Sequence, residues 1–205
     1  MKKIAITGTH GAGKTTLAHQ ICVMLKEKNV NVTVVEEKAR SCPFPINKQA
    51  TADTEIWMVH TQIKAEQQAK ASKYECAVID RCSLDAIIYW QDRNTPHKYF
   101  EKLRDAALEW VQTEYDLVIL LEPSSDTEEM AVDAVRDSSI AYRNQIRDLF
   151  RQYLETMPQS FYDRLIKIES NEVFARGAFY SEAVEKIMEH PSCPFVSNIA
   201  GKCLV

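Results

Sequence analysis

Apolar and polar positions alternate between two regimes along the chain. Residues 3–7, 30–36, 76–80, 117–121 and 165–168 are short apolar runs, rich in β-branched residues and bounded by polar or turn residues. Such runs read as buried strands, because a strand covered on both faces has no side to leave polar. Between them lie stretches long enough for helices, at 14–26, 54–70, 84–91 with 97–113, 128–155 and 172–189. Strand followed by helix, again and again, predicts an α/β fold: a parallel sheet covered by helices on both sides and joined by right-handed crossovers. Ligands of such sheets bind at the carboxyl ends of the strands, so the residues after each strand carry the chemistry. The pattern holds no internal repeat and no low-complexity linker. It reads as a single domain over residues 1–190, followed by a tail, 191–205, to which no role is assigned.

Composition narrows the class. With 205 residues, 45% hydrophobic and 26% charged, the chain matches a globular domain that needs neither metal nor disulfides to build its core. A net charge of −4 argues against a general electrostatic grip on nucleic acid or anionic membrane and leaves only a local basic cleft for that purpose. No segment approaches the ~18 consecutive apolar residues of a membrane span, and the first apolar run is too short for a secretory signal. Cys22, Cys42, Cys76, Cys82, Cys193 and Cys203 form no C-x-x-C pair and no cluster with histidine, so the expectation is a cytoplasmic protein with reduced thiols.

The strongest chemical signal is Gly8-Thr9-His10-Gly11-Ala12-Gly13-Lys14-Thr15, a full match to G-x-x-x-x-G-K-[ST] placed after one strand and before a helix. Glycines let the backbone fold around phosphates, so that successive N–H groups and the helix N-terminus point at them. Residues Gly8 to Thr16, with Thr16 in the first helical turn, are therefore expected to bind the nucleotide. Lys14 reaches the β- and γ-phosphates, and the Thr15 hydroxyl ligates Mg²⁺.

The third strand ends in Asp80-Arg81-Cys82-Ser83-Leu84-Asp85. If that strand neighbours the first, Asp80 lies where Mg²⁺ needs an acidic partner, and Arg81 neutralises charge on the transferred group. Asp85 is either an acceptor contact or a solvent-facing residue of the next helix. The second strand ends in Glu36-Glu37-Lys38-Ala39-Arg40. Strand alternation sends Glu36 and Glu37 to opposite sides. The one-turn spacing to Arg40 favours Glu37 as the group that orients or deprotonates an acceptor hydroxyl, with Arg40 beside the substrate. The stiff loop at 42–48 suits a wall of an acceptor pocket.

In the helix at 54–70, Trp57, His60, Gln62 and Glu66 are placed to meet a base or ribose, Gln62 being the acceptor contact selected, while Ile56, Trp57, Val59 and Ile63 form the expected core stripe. After the fourth strand come Arg136, Arg143, Arg147 and Arg151. On a continuous helix the first three share a face, as expected of a basic lid over 124–156 that excludes water during transfer, with Arg136 and Arg143 catalytic. Asp133, Asp137 and Asp148 in the same segment also fit a salt-bridged, solvated helix.

In this order, these motifs resemble the nucleoside and nucleotide kinase-like P-loop proteins over residues 1 to about 190. They most resemble small ATPase and kinase proteins related to the ribosylnicotinamide kinase domain of NAD-biosynthesis regulators, and more distantly thymidylate and deoxynucleoside kinases. The resemblance implies a P-loop NTPase three-layer sandwich with strand order 2-3-1-4-5, MgATP as donor, and a lid carrying Arg136 to Arg147. It also implies a catalytic edge of Glu37, Asp80 and Arg81, and adenine near residues 171–176 with Arg176 as a contact. The Glu-Pro pair typical after the second strand of deoxynucleoside kinases is absent, and Cys82 stands where thymidylate kinases usually carry an aromatic residue. The expected function is ATP- and Mg²⁺-dependent phosphoryl transfer to a small nucleoside, nucleotide or related ribosyl acceptor. The alternatives are a polynucleotide 5′-hydroxyl kinase, disfavoured by the acidic charge, and an ATP-dependent switch read by a protein partner.

Overall fold

The first apolar run becomes the central strand of a parallel sheet. The computed structural model describes residues 1–93, 96–123, 139–170 and 176–195. Its elements are β1 (Lys2–Thr7), α1 (Lys14–Glu27), β2 (Val32–Val35), α2 (Ala52–Ala71), β3 (Cys76–Asp80), α3 (Ser83–Arg93) and α4 (Phe100–Glu114). They continue with β4 (Leu117–Pro123), α5 (Ile140–Glu155), α6 (Gln159–Tyr162), β5 (Leu165–Ser170) and α7 (Arg176–Glu189). The strands pair in parallel in the order β2-β3-β1-β4-β5, the order the resemblance implied.

Alternation along β1 divides the core. Ile4 and Ile6 pack with Leu17, Ile21 and Leu25 of α1 and Val184 and Ile187 of α7, whereas Ala5 faces the side covered by α2 to α6 through Val59, Ile87, Val111, Phe150 and Phe161. Helices thus cover both faces, and all five residues of β3 are buried, as a central strand requires. Cys193 and Phe195, beyond the expected boundary at residue 190, belong to the α1–α7 side of the core. Among the described residues, no helix is long and apolar enough to cross a membrane.

Two elements depart from the sequence pattern. The helix expected at 128–155 is described from Ile140, behind Ser139, whose hydroxyl accepts from the Tyr142 N–H at 3.3 Å. Residues 124–138, Arg136 among them, lie outside the described residues. The second departure is the buried face of α2. It consists of Thr54, Glu55, Val59, Gln62, Glu66 and Ala69, so of the expected stripe only Val59 is fully buried. Sheet and neighbouring helices supply the reason. Glu66, fully buried, pairs with Lys3 of β1 at 3.1 Å and accepts from Tyr115 at 2.8 Å and from the indole of Trp110 at 3.0 Å. The Lys3 ammonium also meets Glu114 at 3.0 Å and stands 4.6 Å from the Trp110 ring centroid. A polar knot of this kind holds α2 and α4 to the base of β1, because every buried charge in it has a partner.

Candidate active site

The phosphate loop leaves β1 between the ends of β3 and β4, since Ile6 lies opposite Asp80 and Thr7 opposite Leu120. Gly8 must be glycine: its φ is +130°, and a Cβ there would stand 2.3 Å from the carbonyl oxygen of Leu121. Gly13, at φ +89°, turns the chain into α1. Lys14 is buried and curls back, donating to the carbonyls of Gly8 at 2.9 Å and Thr9 at 2.6 Å. Burial and the neighbouring Arg81 lower its pKa to about 7, against the opposite pull of Asp85, Asp80 and Glu37. Gly11, Gly13, Lys14, Thr15, Asp80 and their neighbours enclose only about 10 Å³, with the Lys14 ammonium folded onto the loop's own carbonyls.

Thr15 donates its hydroxyl to Asp80 Oδ2 at 2.6 Å. Asp80 Oδ1 is buried and has no hydrogen-bond partner among the described residues. Burial raises the pKa of Asp80, and the Thr15 hydrogen bond and the Lys14 charge oppose that rise. An orphaned carboxylate oxygen beside a hydroxyl is a donor set for a hard, oxygen-seeking cation, and it fits Mg²⁺. Thr16, exposed on the next position, makes no such contact.

On its other side the loop is held by α3 and α5. The Thr9 hydroxyl donates to the backbone carbonyl of Arg143 at 3.2 Å, and Arg143 itself is buried to 1% exposure. The His10 N–H donates to the Tyr89 hydroxyl at 3.2 Å, its ring Nδ1 lies 3.1 Å from the same oxygen, and the ring packs against Tyr142 with centroids 5.4 Å apart.

Arg81 takes a left-handed φ of +74°, which lets its N–H reach the carbonyl of Ile6 at 3.0 Å while its side chain turns into the cleft. There Nε pairs with Glu37, and Nη1 with Asp85 at 3.2 Å. Asp85 is buried and accepts from the Thr7 hydroxyl at 2.7 Å and the Cys82 N–H at 3.1 Å. It therefore faces the site and not solvent. Glu36 is exposed, so Glu37 is the carboxylate on the cleft side.

From this edge a cleft opens between α2, α3, α5 and the loop after β2. His10, Glu37, Arg40, Asn47, Arg81 and Asp85 line it together with Glu55, Met58, Tyr89, Arg93 and Tyr142. Its cavity measures about 90 Å³, below the ~300 Å³ at which ligand pockets begin.

A family model described as an AAA domain matches residues 3–168. The chain belongs to this AAA domain family. The sequence has no significant match among the curated proteins. Solved structures share the fold of this AAA domain. Deoxyadenosine kinase from M. mycoides with bound dATP has a TM-score of 0.63 at 20% identity, covering 91% of this chain and 99% of that one. The NadR protein in complex with NR has a TM-score of 0.69 at 21% identity, covering 92% of this chain and 51% of that one. Thymidylate kinase from Candida albicans has a TM-score of 0.64 at 14% identity, covering 94% and 93%. The fold is that of the P-loop nucleotide kinases.

Several residues read from the sequence are not at the site of the AAA domain. Gln62 is buried one turn beyond the cleft and donates to Glu66 at 3.3 Å, so it belongs to the polar knot at the base of β1. His60 is exposed, with its ring Nδ1 2.7 Å from the Ile56 carbonyl. Of the expected basic face, Arg143 is buried against the phosphate loop, whereas Arg147 meets Asp148 at 3.5 Å; Arg151, off that face, makes a two-pronged pair with Glu122 at 2.9 and 2.8 Å. Arg136 and residues 171–175 lie outside the described residues, and Arg176 is described only as the start of α7. The sequence reading passed over Glu55, Tyr89, Arg93 and Tyr142. One signal was available for two of them: Asp85, Tyr89 and Arg93 recur every fourth residue and so share a face of α3.

Proposed function

We propose that this AAA domain transfers the γ-phosphoryl group of ATP to a small nucleoside, nucleotide or related ribosyl acceptor. One observation carries the reading: the Glu37–Arg81–Asp85 cluster stands at the mouth of a cleft that begins at the phosphate loop. A pure ATPase or switch has no use for a lined second pocket there. The names of the proteins that share the fold, deoxyadenosine kinase and thymidylate kinase among them, support the same class.

Loop N–H groups and Lys14 hold the β- and γ-phosphates, and Arg81 donates to the oxygens of the transferred group. Thr15 and Asp80 would hold Mg²⁺, which supplies positive charge to those phosphates when bound. Glu37 accepts the proton of the acceptor hydroxyl as its oxygen bonds to the γ-phosphorus. The bond from phosphorus to the β–γ bridging oxygen breaks, and ADP leaves. Asp85, anchored by Thr7 and Cys82, keeps the Arg81 fork in place. Arg143, buried against the loop, fixes Thr9 through its backbone. Arg40, on the cleft rim, contacts the acceptor.

Incubating the protein with labelled ATP, Mg²⁺ and a mixed panel of nucleosides, nucleoside monophosphates and a 5′-hydroxyl oligonucleotide tests the reading. A labelled small product is expected. Labelling confined to the oligonucleotide would move the assignment to a polynucleotide kinase, and ATP binding without any labelled product would overturn phosphoryl transfer.

A further inference from the structure

The far end of the cleft carries a second charged pair. Glu55 of α2 and Arg93, the last residue of α3, form an ion pair with side chains only 6% and 13% exposed, and Arg93 Nη1 donates to the Asn47 carbonyl at 3.2 Å. Both line the same cavity as Glu37 and Arg81. Arg93 lies two turns beyond Asp85, about 12 Å along the helix, a span comparable to a nucleoside's length. A buried ion pair adds little stability over a packed apolar pair, so its place on a cavity wall calls for another use. The wall around it is largely apolar: Ile46, Ala50, Met58, Ala86, Tyr89 and Tyr142 offer surfaces suited to a flat ring. A carboxylate accepts at about four lone-pair positions, so one bridge does not exhaust Glu55.

We propose that Glu55 and Arg93 read the edge of the acceptor's ring, selecting a heteroaromatic base in which a hydrogen-bond donor stands next to an acceptor. Glu55 takes the donor, and Arg93 gives to the adjacent ring nitrogen or carbonyl. Adenine, hypoxanthine, cytosine and uracil all present such an edge; unsubstituted purine and pyrimidin-2-one lack the donor. The inference rests on the reading of the cleft as an acceptor site. It accounts for why a site with Glu37 and Arg81 at one end has a second pair of opposite charges at the other, since a buried polar group of the protein rejects a ring that leaves it unpaired.

Titration calorimetry with the full chain tests it, using adenosine against purine riboside and cytidine against pyrimidin-2-one riboside. Wild type is expected to prefer the amino-bearing member of at least one pair by ~10-fold or more. Glu55→Leu/Arg93→Leu, which keeps an apolar contact between the helices, is expected to bring that preference below ~3-fold with ATP affinity unchanged. Glu55→Gln, nearly isosteric, serves if the double variant fails to fold and is expected to cut the preference as well. An unchanged preference in a folded variant, or equal loss for both members of a pair, would reduce Glu55 and Arg93 to a clamp between α2 and α3 and overturn the inference alone. Absence of any binding of nucleosides or nucleoside monophosphates by wild type that still binds ATP would overturn the acceptor reading beneath it.

Discussion

The carboxylate of Glu37 is ion-paired with Nε of Arg81, and the same guanidinium reaches Asp85 at 3.2 Å. The three residues come from the loop after β2, the end of β3 and the first turn of α3, which the order β2-β3-β1 makes neighbours of the phosphate loop. Burial works against the charge on Arg81, but Glu37, Tyr89 and Asp85 outweigh it and hold its pKa above the ordinary value. The cleft therefore keeps a cation beside a carboxylate, the pairing that the proposed transfer needs.

Glu37→Gln keeps the shape of the side chain and removes the proton acceptor, so kcat is expected to fall by ~10² or more while ATP affinity barely changes. Glu36→Gln, on the exposed side, is expected to cost less than ~10-fold. Initial rates on both variants, with ATP affinity from titration, decide between them. If Glu36→Gln is the crippled variant, the base has been placed on the wrong side of the strand end.

Lys14→Met is expected to lower transfer at least ~10²-fold, because a charge aimed at the phosphates is lost. The same variant tests the pH behaviour of the nucleotide-free fold. Folded Lys14 releases its proton near pH 7, and the unfolded chain holds it to about 10.5. Between those values the unfolded state binds more protons, so this group makes stability rise with pH; below pH 7 its burial cost is present in full. Melting temperatures from pH 6.5 to 9.5 are expected to rise more steeply in wild type than in Lys14→Met, and parallel curves would refute the buried, near-neutral lysine.

Asp80→Asn leaves a group of the same size with weaker metal affinity. The Mg²⁺ concentration for half-maximal rate is expected to increase well beyond any change in the ATP requirement. Equal shifts in the two titrations would make Asp80 a structural partner of Thr15.

The polar knot under β1 affects stability and not turnover. Lys3→Met removes the cation that Glu66 meets in a dry site, and a loss of about 3–5 kcal/mol is expected by denaturant unfolding. Gln62→Ala is expected to leave acceptor KM within ~2-fold of wild type. A larger change in KM would return Gln62 to the cleft.

Local patterns carried much of the molecule. Strand runs were legible because burial on both faces makes Ile4–Ile6, Cys76–Ile79 and Leu117–Leu121 apolar throughout, and the phosphate loop was legible because Gly8 and Lys14 have steric and electrostatic requirements that few other residues meet. Asp80 and Arg81 were placed at a strand end by polarity, and the pairing of β3 with β1 sets them beside the phosphate loop. Glu37 was favoured over Glu36 by a spacing argument, yet its partner Arg81 lies on another strand, and only the pairing of β2 with β3 brings the two together.

Polar residues buried by distant partners were misread, for a common reason. A helix's apolar periodicity reports which face is buried only when the facing surface is apolar. Glu66 is buried because Lys3 of β1, Trp110 of α4 and Tyr115 at the end of α4 meet it, and Gln62 is buried beside it as a donor to the same carboxylate. Glu55 likewise finds Arg93 across two helices. The sequence by itself determined the strands and the phosphate loop, because these depend on neighbours along the chain. Tertiary structure alone decided which buried charges meet and which wall of the cleft they form, since a buried ion is placed by the partner that compensates its desolvation, wherever in the chain that partner lies.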